Sequence, residues 1–282
     1  MINWTKYFDA IYLIHYEGQI ERKANIYREL DRVGITSHPR FKEMTDYVSP
    51  LKYATRYENP QSAAGTLSHY RCWCDMKYHA YDRVLIMEDD IVFLKDINEI
   101  ERLLEEQPKR YDLCLFDWMI TYNQIGGNNR PIEMLEDAKI SEHYCYFTSS
   151  WLLSCYAISN RMAEYFKKAL ENNSADPKLH AADHFSQGIA FKHYTYKESY
   201  NTIQDFINDL FSDWKTILCT KRIAIQDQYE DCVNYQIGNK EIYNMPLKLP
   251  NERDIPVDFN EYNIRKKYNT MEGPQGTENC HV

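Results

Sequence analysis

Residues 84 to 93 read "VLIMEDDIVF", an apolar run broken by three consecutive acids and then resumed. Burying a carboxylate in such a run costs several kcal/mol unless something compensates it. If the chain stays extended through the acids, side chains alternate. Glu88 and Asp90 then fall on one side, about 7 Å apart, with Asp89 on the other. Two carboxylates so spaced can hold a divalent cation, directly or through water, and oxygen donors favour Mg²⁺ or Mn²⁺ over softer metals. Such a cation can carry a diphosphate and neutralise charge as a leaving group departs. The plainer alternative is that the acids cap the next helix or lie in a solvated turn.

Residues of this kind need a frame. "FDAIYLIHY" (8–16) is a short apolar run with the length of a buried strand, and "ERKANIYRELDRVGI" follows with Ile26, Leu30 and Val33 at helical spacing and Gly34 placed to end the helix. "SHYRCWCDMKYHAY" (68–81) reads as a helix with Ser68 as its N-cap. "RVLIME" is then a buried strand, followed by "INEIERLLEE" with Ile97, Ile100, Leu103 and Leu104 on one helical face. "YDLCLFDW" (111–118) and "SSWLLSCYAIS" (149–159) are further strands, and "NRMAEYFKKALE" is a helix with Asn160 as its cap. Strand alternating with helix predicts an α/β fold with a mainly parallel sheet covered on both faces. In such a sheet ligands sit at the carboxyl ends of the strands, where the acids begin.

The 282-residue chain is long enough for a real core, and its 44% hydrophobic and 27% charged residues are those of an ordinary globular protein. A formal charge of −9 with no basic run argues against nucleic acid as a partner. An anionic substrate would therefore need a local Arg or Lys or a metal ion. The eight cysteines are scattered, with no CxxC pair, and several lie in apolar runs. They read as reduced structural thiols of a cytoplasmic protein. No signal peptide is visible, and no stretch nears the roughly 20 apolar residues of a membrane span, leaving at most a peripheral membrane location. From about residue 240 the chain turns polar and Pro-containing. The expected organisation is a domain over 1–240 and a partly disordered extension over 241–282.

Taken in order, several blocks resemble glycosyltransferase family 25, which includes bacterial lipooligosaccharide glycosyltransferases and procollagen galactosyltransferase domains. The family's opening strand, loop and acidic-Arg pair are similar to "IYLIHYEGQIERKANIYRELDRVGI", with Glu21-Arg22 at that place. Its "G…SH…W" segment resembles "GTLSHYRCW" (Gly65, Ser68, His69, Trp73), and its "LEDD"-like strand end resembles "LIMEDDIVF". "YDLCLFDW", "CYAISNRMAEYF", "AADHFS" with Asp183, and "IAIQDQ" with Gln226 match later blocks, so the likeness spans roughly residues 8 to 230. Two positions depart from the pattern. His15-Tyr16 replace the usual Asn-Leu, and Asp117-Trp118 stand where Gly is common.

The resemblance implies a GT-A type fold, a UDP-sugar donor, a divalent metal and inverting transfer of a hexose, galactose by analogy. The acceptor it implies is a glycan or glycolipid such as a lipooligosaccharide or surface polysaccharide precursor. Glu88 and Asp90 would hold the Mn²⁺ or Mg²⁺, and Asp89 would orient the donor's ribose or sugar. An inverting transferase needs a base by the acceptor hydroxyl, and block position gives that role to Asp183; the alternative is an N-cap of "HFSQGIAF". His69 would line the donor site. Arg22 can contact the diphosphate as a fixed cation, or simply pair with Glu21 or Glu17 at the surface. Tyr16 can stack on the nucleotide base, or pack in the core. Carboxylates at a strand end also serve nucleotidyltransferases and phosphohydrolases, and a degenerate transferase fold can bind carbohydrate without catalysis.

Overall fold

The computed structural model describes residues 2–15, 20–44, 60–117, 139–146, 153–173 and 214–226. Their strands are β1 (Ala10–Ile14), β2 (Phe41–Met44), β3 (Arg83–Glu88), β4 (Ile91–Phe93), β5 (Leu113–Leu115), β6 (Tyr144–Tyr146), β7 (Cys155–Ser159), β8 (Thr216–Cys219) and β9 (Ala224–Gln226). The helices are α1 (Ile20–Val33), α2 (Pro60–Tyr78), α3 (Ile97–Glu106) and α4 (Asn160–Asn173). The main sheet has the order β2-β1-β3-β7-β5-β8-β6, and β4 pairs with β9 in a separate ribbon. β1, β2, β3, β5 and β8 run one way, while β7 and β6 run against them. The sheet is thus mixed but mostly parallel, and the architecture is α/β as expected.

Period-2 alternation decides which residues meet which helices. Tyr12, Ile14, Val84, Ile86, Tyr156 and Ile158 face one side, where they pack with Trp73 and Met76 of α2 and Met162 and Phe166 of α4. Ile11, Leu13, Leu85, Met87, Cys155 and Ala157 face the other, against Ile26, Leu30 and Val33 of α1 and Ile100, Leu103 and Leu104 of α3. Both faces are dry, which is why β1 and β3 read as continuous apolar runs rather than alternating ones.

Local chemistry sets the helix ends. Gly34 takes φ 75° just after α1, the left-handed conformation that glycine adopts without a Cβ penalty. Asp96 caps α3, its carboxylate accepting from the N–H groups of Asn98 and Glu99, a contact typically worth about 1 kcal/mol. Two expected caps move. α2 begins at Pro60, so Ser68 lies buried in mid-helix rather than at its start. Ser159, not Asn160, caps α4: its Oγ accepts from Met162 N at 3.2 Å. Asn160 instead accepts from Lys77 Nζ and donates to the Tyr81 carbonyl, tying α4 to the end of α2.

The connections create a crevice. β1 leads through α1 to β2 on one flank, and β2 leads back through α2 to β3 on the other. With α1 and α2 on opposite faces, the carboxyl ends of β1 and β3 flank a topological switch point, where open α/β sheets bind ligands. Among the described residues no helix is long and apolar enough to cross a membrane. The expected extension over 241–282 lies outside the described residues.

Candidate functional site

The acidic triplet stands at that switch point. β3 ends at Glu88, and Asp89 and Asp90 form a turn before β4 resumes at Ile91. Glu88 keeps the parity of Val84 and Ile86 and points to the α2 face, where its Oε1 is 3.0 Å from His69 Nε2. Asp89 takes the opposite, α1 face, as alternation predicts. Parallel register pairs Ile14 with Glu88, so the next residues, His15 and Asp89, fall side by side. His15 Nδ1 and Asp89 Oδ2 are 3.2 Å apart, both side chains almost wholly buried.

Asp90 departs from the extended expectation. The turn at 89–90 ends the alternation, so strand geometry no longer sets the direction of Asp90. It joins Asp89 at Arg22: the guanidinium Nη2 is 2.7 Å from Asp89 Oδ1 and 2.9 Å from Asp90 Oδ2. Arg22 comes from the first turn of α1. A second clamp from α1 fixes the strand after the turn. Glu29 Oε2 accepts from Phe93 N at 3.1 Å and from Arg32 Nη2 at 2.8 Å, and the same Nη2 donates to the Phe93 carbonyl at 3.0 Å. One helix therefore holds the acidic turn from both ends.

His69 was expected to line the donor pocket. It is 1% exposed and turns both ring nitrogens to protein partners, Nε2 to Glu88 and Nδ1 to the Tyr156 hydroxyl at 2.9 Å. Tyr156 also accepts from Trp73 Nε1 at 3.1 Å. Burial pushes the Tyr156 phenol well above its usual pKa, so it stays protonated. Two positions noted as departures also border the crevice. His15 meets Asp89, and Asp117, fully buried after β5, accepts from Ser154 Oγ at 2.5 Å. The Ser154 carbonyl in turn accepts from Glu88 N at 2.8 Å. Tyr16 and Asp183 lie outside the described residues, and Gln226 ends β9 opposite Ile91.

The arrangement thus gathers Glu88, Asp89, Asp90, Arg22, His15 and His69 at one strand end. Two of the three carboxyl groups, those of Asp89 and Asp90, meet one guanidinium and that of Glu88 meets His69, a formal excess of negative charge with oxygen donors. That donor set fits a hard divalent cation.

Residues 6–186 match the family model described as glycosyltransferase family 25, LPS biosynthesis protein. The chain belongs to glycosyltransferase family 25. It is a glycosyltransferase, and the family-25 match covers both the acidic turn and the helix that supplies Arg22. No curated relative matches it in sequence. Solved structures similar to this family-25 chain include the apo form of glycosyltransferase GlyE from Streptococcus pneumoniae TIGR4, at 14% identity and a TM-score of 0.30. That match covers 84% of this chain and 51% of GlyE. A glycosyltransferase involved in glycosylation of the major capsid of PBCV-1 is similar at 9% identity and TM-score 0.36, over 84% of this chain and 100% of that one. The galactosyltransferase LgtC, solved with donor and acceptor sugar analogues, is similar at 9% identity and TM-score 0.36, over 83% and 94%. All three TM-scores fall below 0.5, so the functional reading rests on the family match and on the site itself.

Proposed function

We propose that this family-25 protein is a metal-dependent, inverting glycosyltransferase that moves a hexose, galactose by family likeness, from a UDP-sugar to a glycan acceptor such as a lipooligosaccharide or surface polysaccharide precursor. The observation that carries the reading is the acidic turn Glu88-Asp89-Asp90 at the carboxyl end of β3, beside β1, with Arg22 held against it. Glu88 and Asp90 would hold Mn²⁺ or Mg²⁺, and the cation would neutralise the diphosphate as it departs. Arg22, already within reach of two carboxylates, is a fixed cation for the same diphosphate. Asp89 orients the donor's ribose or sugar, and Tyr16 stacks on the base.

In the transfer, the acceptor hydroxyl oxygen bonds to the anomeric carbon as the bond from that carbon to the diphosphate oxygen breaks. The base, for which Asp183 is our assignment, takes the hydroxyl proton, and UDP carries away the bonding pair. The free thiols among the described residues support a reducing, cytoplasmic setting. The transferase domain is assigned to 1–240, with 241–282 as an extension.

Calorimetric titration with UDP and Mn²⁺ tests the core of this reading. Wild type should bind UDP in a Mn²⁺-dependent way, and Asp90→Ala should lose that dependence. No binding by wild type, or unchanged binding by the variant, would remove the proposal. Product analysis separates sugar transfer, which releases a nucleoside diphosphate, from nucleotidyl transfer or hydrolysis, which releases pyrophosphate or phosphate.

A further inference from the structure

We propose that His69 is a positioning residue for Glu88, held in a single tautomer by a one-way hydrogen-bond chain that starts at Trp73 and passes through Tyr156. The role of Glu88 as a cation ligand rests on the function proposed above; the direction of the chain does not.

The direction follows from what each group can do. An indole N–H only donates, so Trp73 Nε1 gives its hydrogen to the Tyr156 oxygen. The phenol has one hydrogen of its own, and of its two neighbours only His69 Nδ1 can accept it. Were Nδ1 protonated instead, the phenol hydrogen would be buried without an acceptor, at a cost of about 1–3 kcal/mol. The burial-raised pKa of Tyr156 keeps that hydrogen in place. Nδ1 therefore accepts, the ring hydrogen sits on Nε2, and Nε2 donates to Glu88 Oε1 at 3.0 Å.

The fold builds this chain from separate elements. His69 and Trp73 are four residues apart on α2, one turn along the same face. β7 pairs with β3 so that Tyr156 lies opposite Ile86. Glu88, two residues further along β3, shares that face. The His69 ring stacks on Tyr156 at a centroid distance of 5.6 Å and tilts against Trp73 at 6.3 Å, which restrains its rotation. Glu88 is the most exposed of the three acids, with 28% of its side chain accessible against 8% and 9% for Asp89 and Asp90. A half-open Glu has many rotamers, and a donor fixed at one oxygen selects among them. Such outer partners commonly decide ligand orientation, and their loss costs about 10- to 100-fold in metal affinity.

Two measurements test the proposal. In ¹⁵N-histidine NMR, the His69 signals, assigned by their loss in His69→Gln, should show a hydrogen-bearing Nε2 and an unprotonated Nδ1. Tyr156→Phe should shift the Nδ1 signal, because the hydrogen bond that Nδ1 accepts is lost. A hydrogen-bearing Nδ1 in wild type overturns the proposal whatever the metal does. In Mn²⁺ titration followed by electron paramagnetic resonance, His69→Leu should bind about 10- to 100-fold more weakly. His69→Gln, whose amide can donate from near the Nε2 position, should recover most of the affinity. Thermal melts separate packing from positioning, because Leu fills the site yet cannot donate. Wild-type binding that His69→Leu leaves unchanged overturns the role of His69. Absence of Mn²⁺ binding in wild type overturns the metal reading of the site itself, and with it Glu88 as the positioned ligand.

Discussion

Asp89 and Asp90, adjacent in sequence, meet the same atom: Nη2 of Arg22 lies 2.7 Å from one and 2.9 Å from the other. Two carboxylates this close repel, and neither side chain is more than a tenth exposed. The guanidinium makes the turn tolerable, which resolves the electrostatic difficulty that the apolar run "VLIMEDDIVF" poses.

Removing that cation should leave two crowded acids without the guanidinium that bridges them. Arg22→Met keeps the length of the apolar stem and should cost about 2 kcal/mol in urea unfolding, less than a fully buried pair because Arg22 is partly exposed. If Mn²⁺ binds the same carboxylates, it should raise the melting temperature of the variant more than that of wild type. Equal stabilisation of both proteins would show that Arg22 and the cation do not share these acids.

The clamp from α1 to β4 makes a separate prediction. Glu29 is the acceptor for the Phe93 N–H and for Arg32 at once. Glu29→Ala leaves a buried backbone donor without its acceptor, a loss of about 1–3 kcal/mol. Because β4 follows directly on the acidic turn, amide exchange at Phe93 should speed up in the variant beyond the global loss of stability. Exchange that changes only in step with global stability would show that the clamp does not restrain β4.

Much of this was legible in the sequence because burial imposes pattern. Ile26, Leu30 and Val33 marked α1, the run "INEIERLLEE" marked α3, and the acids lay where the strand "RVLIME" left the core. What escaped reading depends on pairing. β2, β4, β6, β8 and β9 are only three or four residues long, too short for periodicity to separate them from loops. The antiparallel β7 carries the same apolar run as a parallel strand, so its direction is invisible until its partner is known. Asp90's direction depended on whether the chain stayed extended, and a two-residue turn ends that geometry. His15 stood out only as a departure from a family pattern; its contact with Asp89 is set by the parallel register of β1 and β3. Tyr156 sat in a recognised block, yet its bond to His69 requires β7 to lie next to β3.

The cysteines give a chemical check on the core. Burial pushes the thiols of Cys72, Cys114, Cys145 and Cys155 well up, and that of Cys219 up to about 12. The thiolate is the reactive form, so these five should resist iodoacetamide at neutral pH in the native protein and react fully in guanidinium. Cys74, half-buried on α2, should label first among the described cysteines. Peptide mapping by mass spectrometry reads the order. Labelling of Cys155 as fast as Cys74 would mean that β7 does not sit inside the sheet.

The edge of the sheet predicts a pH dependence. Glu106 ends α3 and receives hydrogen bonds from the His143 ring at 2.6 Å and the His143 backbone N–H at 2.7 Å, pinning the residue that precedes β6. Burial alone would push its carboxyl up, but the hydrogen bonds and charge of His143 outweigh that and hold it below the usual carboxylate value. A carboxyl with a depressed folded pKa is protonated more readily in the unfolded chain. Its contribution is therefore present above the unfolded value, about 4.3, and is lost as pH falls through the lower folded value. Glu106→Gln should be less stable than wild type near neutrality, and the gap should close as pH falls from about 5 to about 3. Wild type keeps part of its acid sensitivity through Glu43 and Asp75, whose carboxyls are also held low. Burial acts against that shift at both, and hydrogen bonds from Lys23 and Tyr27, and from Lys42 and Tyr12, overcome it. Urea midpoints measured across this range for both proteins decide the point. A constant gap at every pH would mean that Glu106 does not titrate differently on unfolding, and that the His143 contact does not anchor the edge strand through charge.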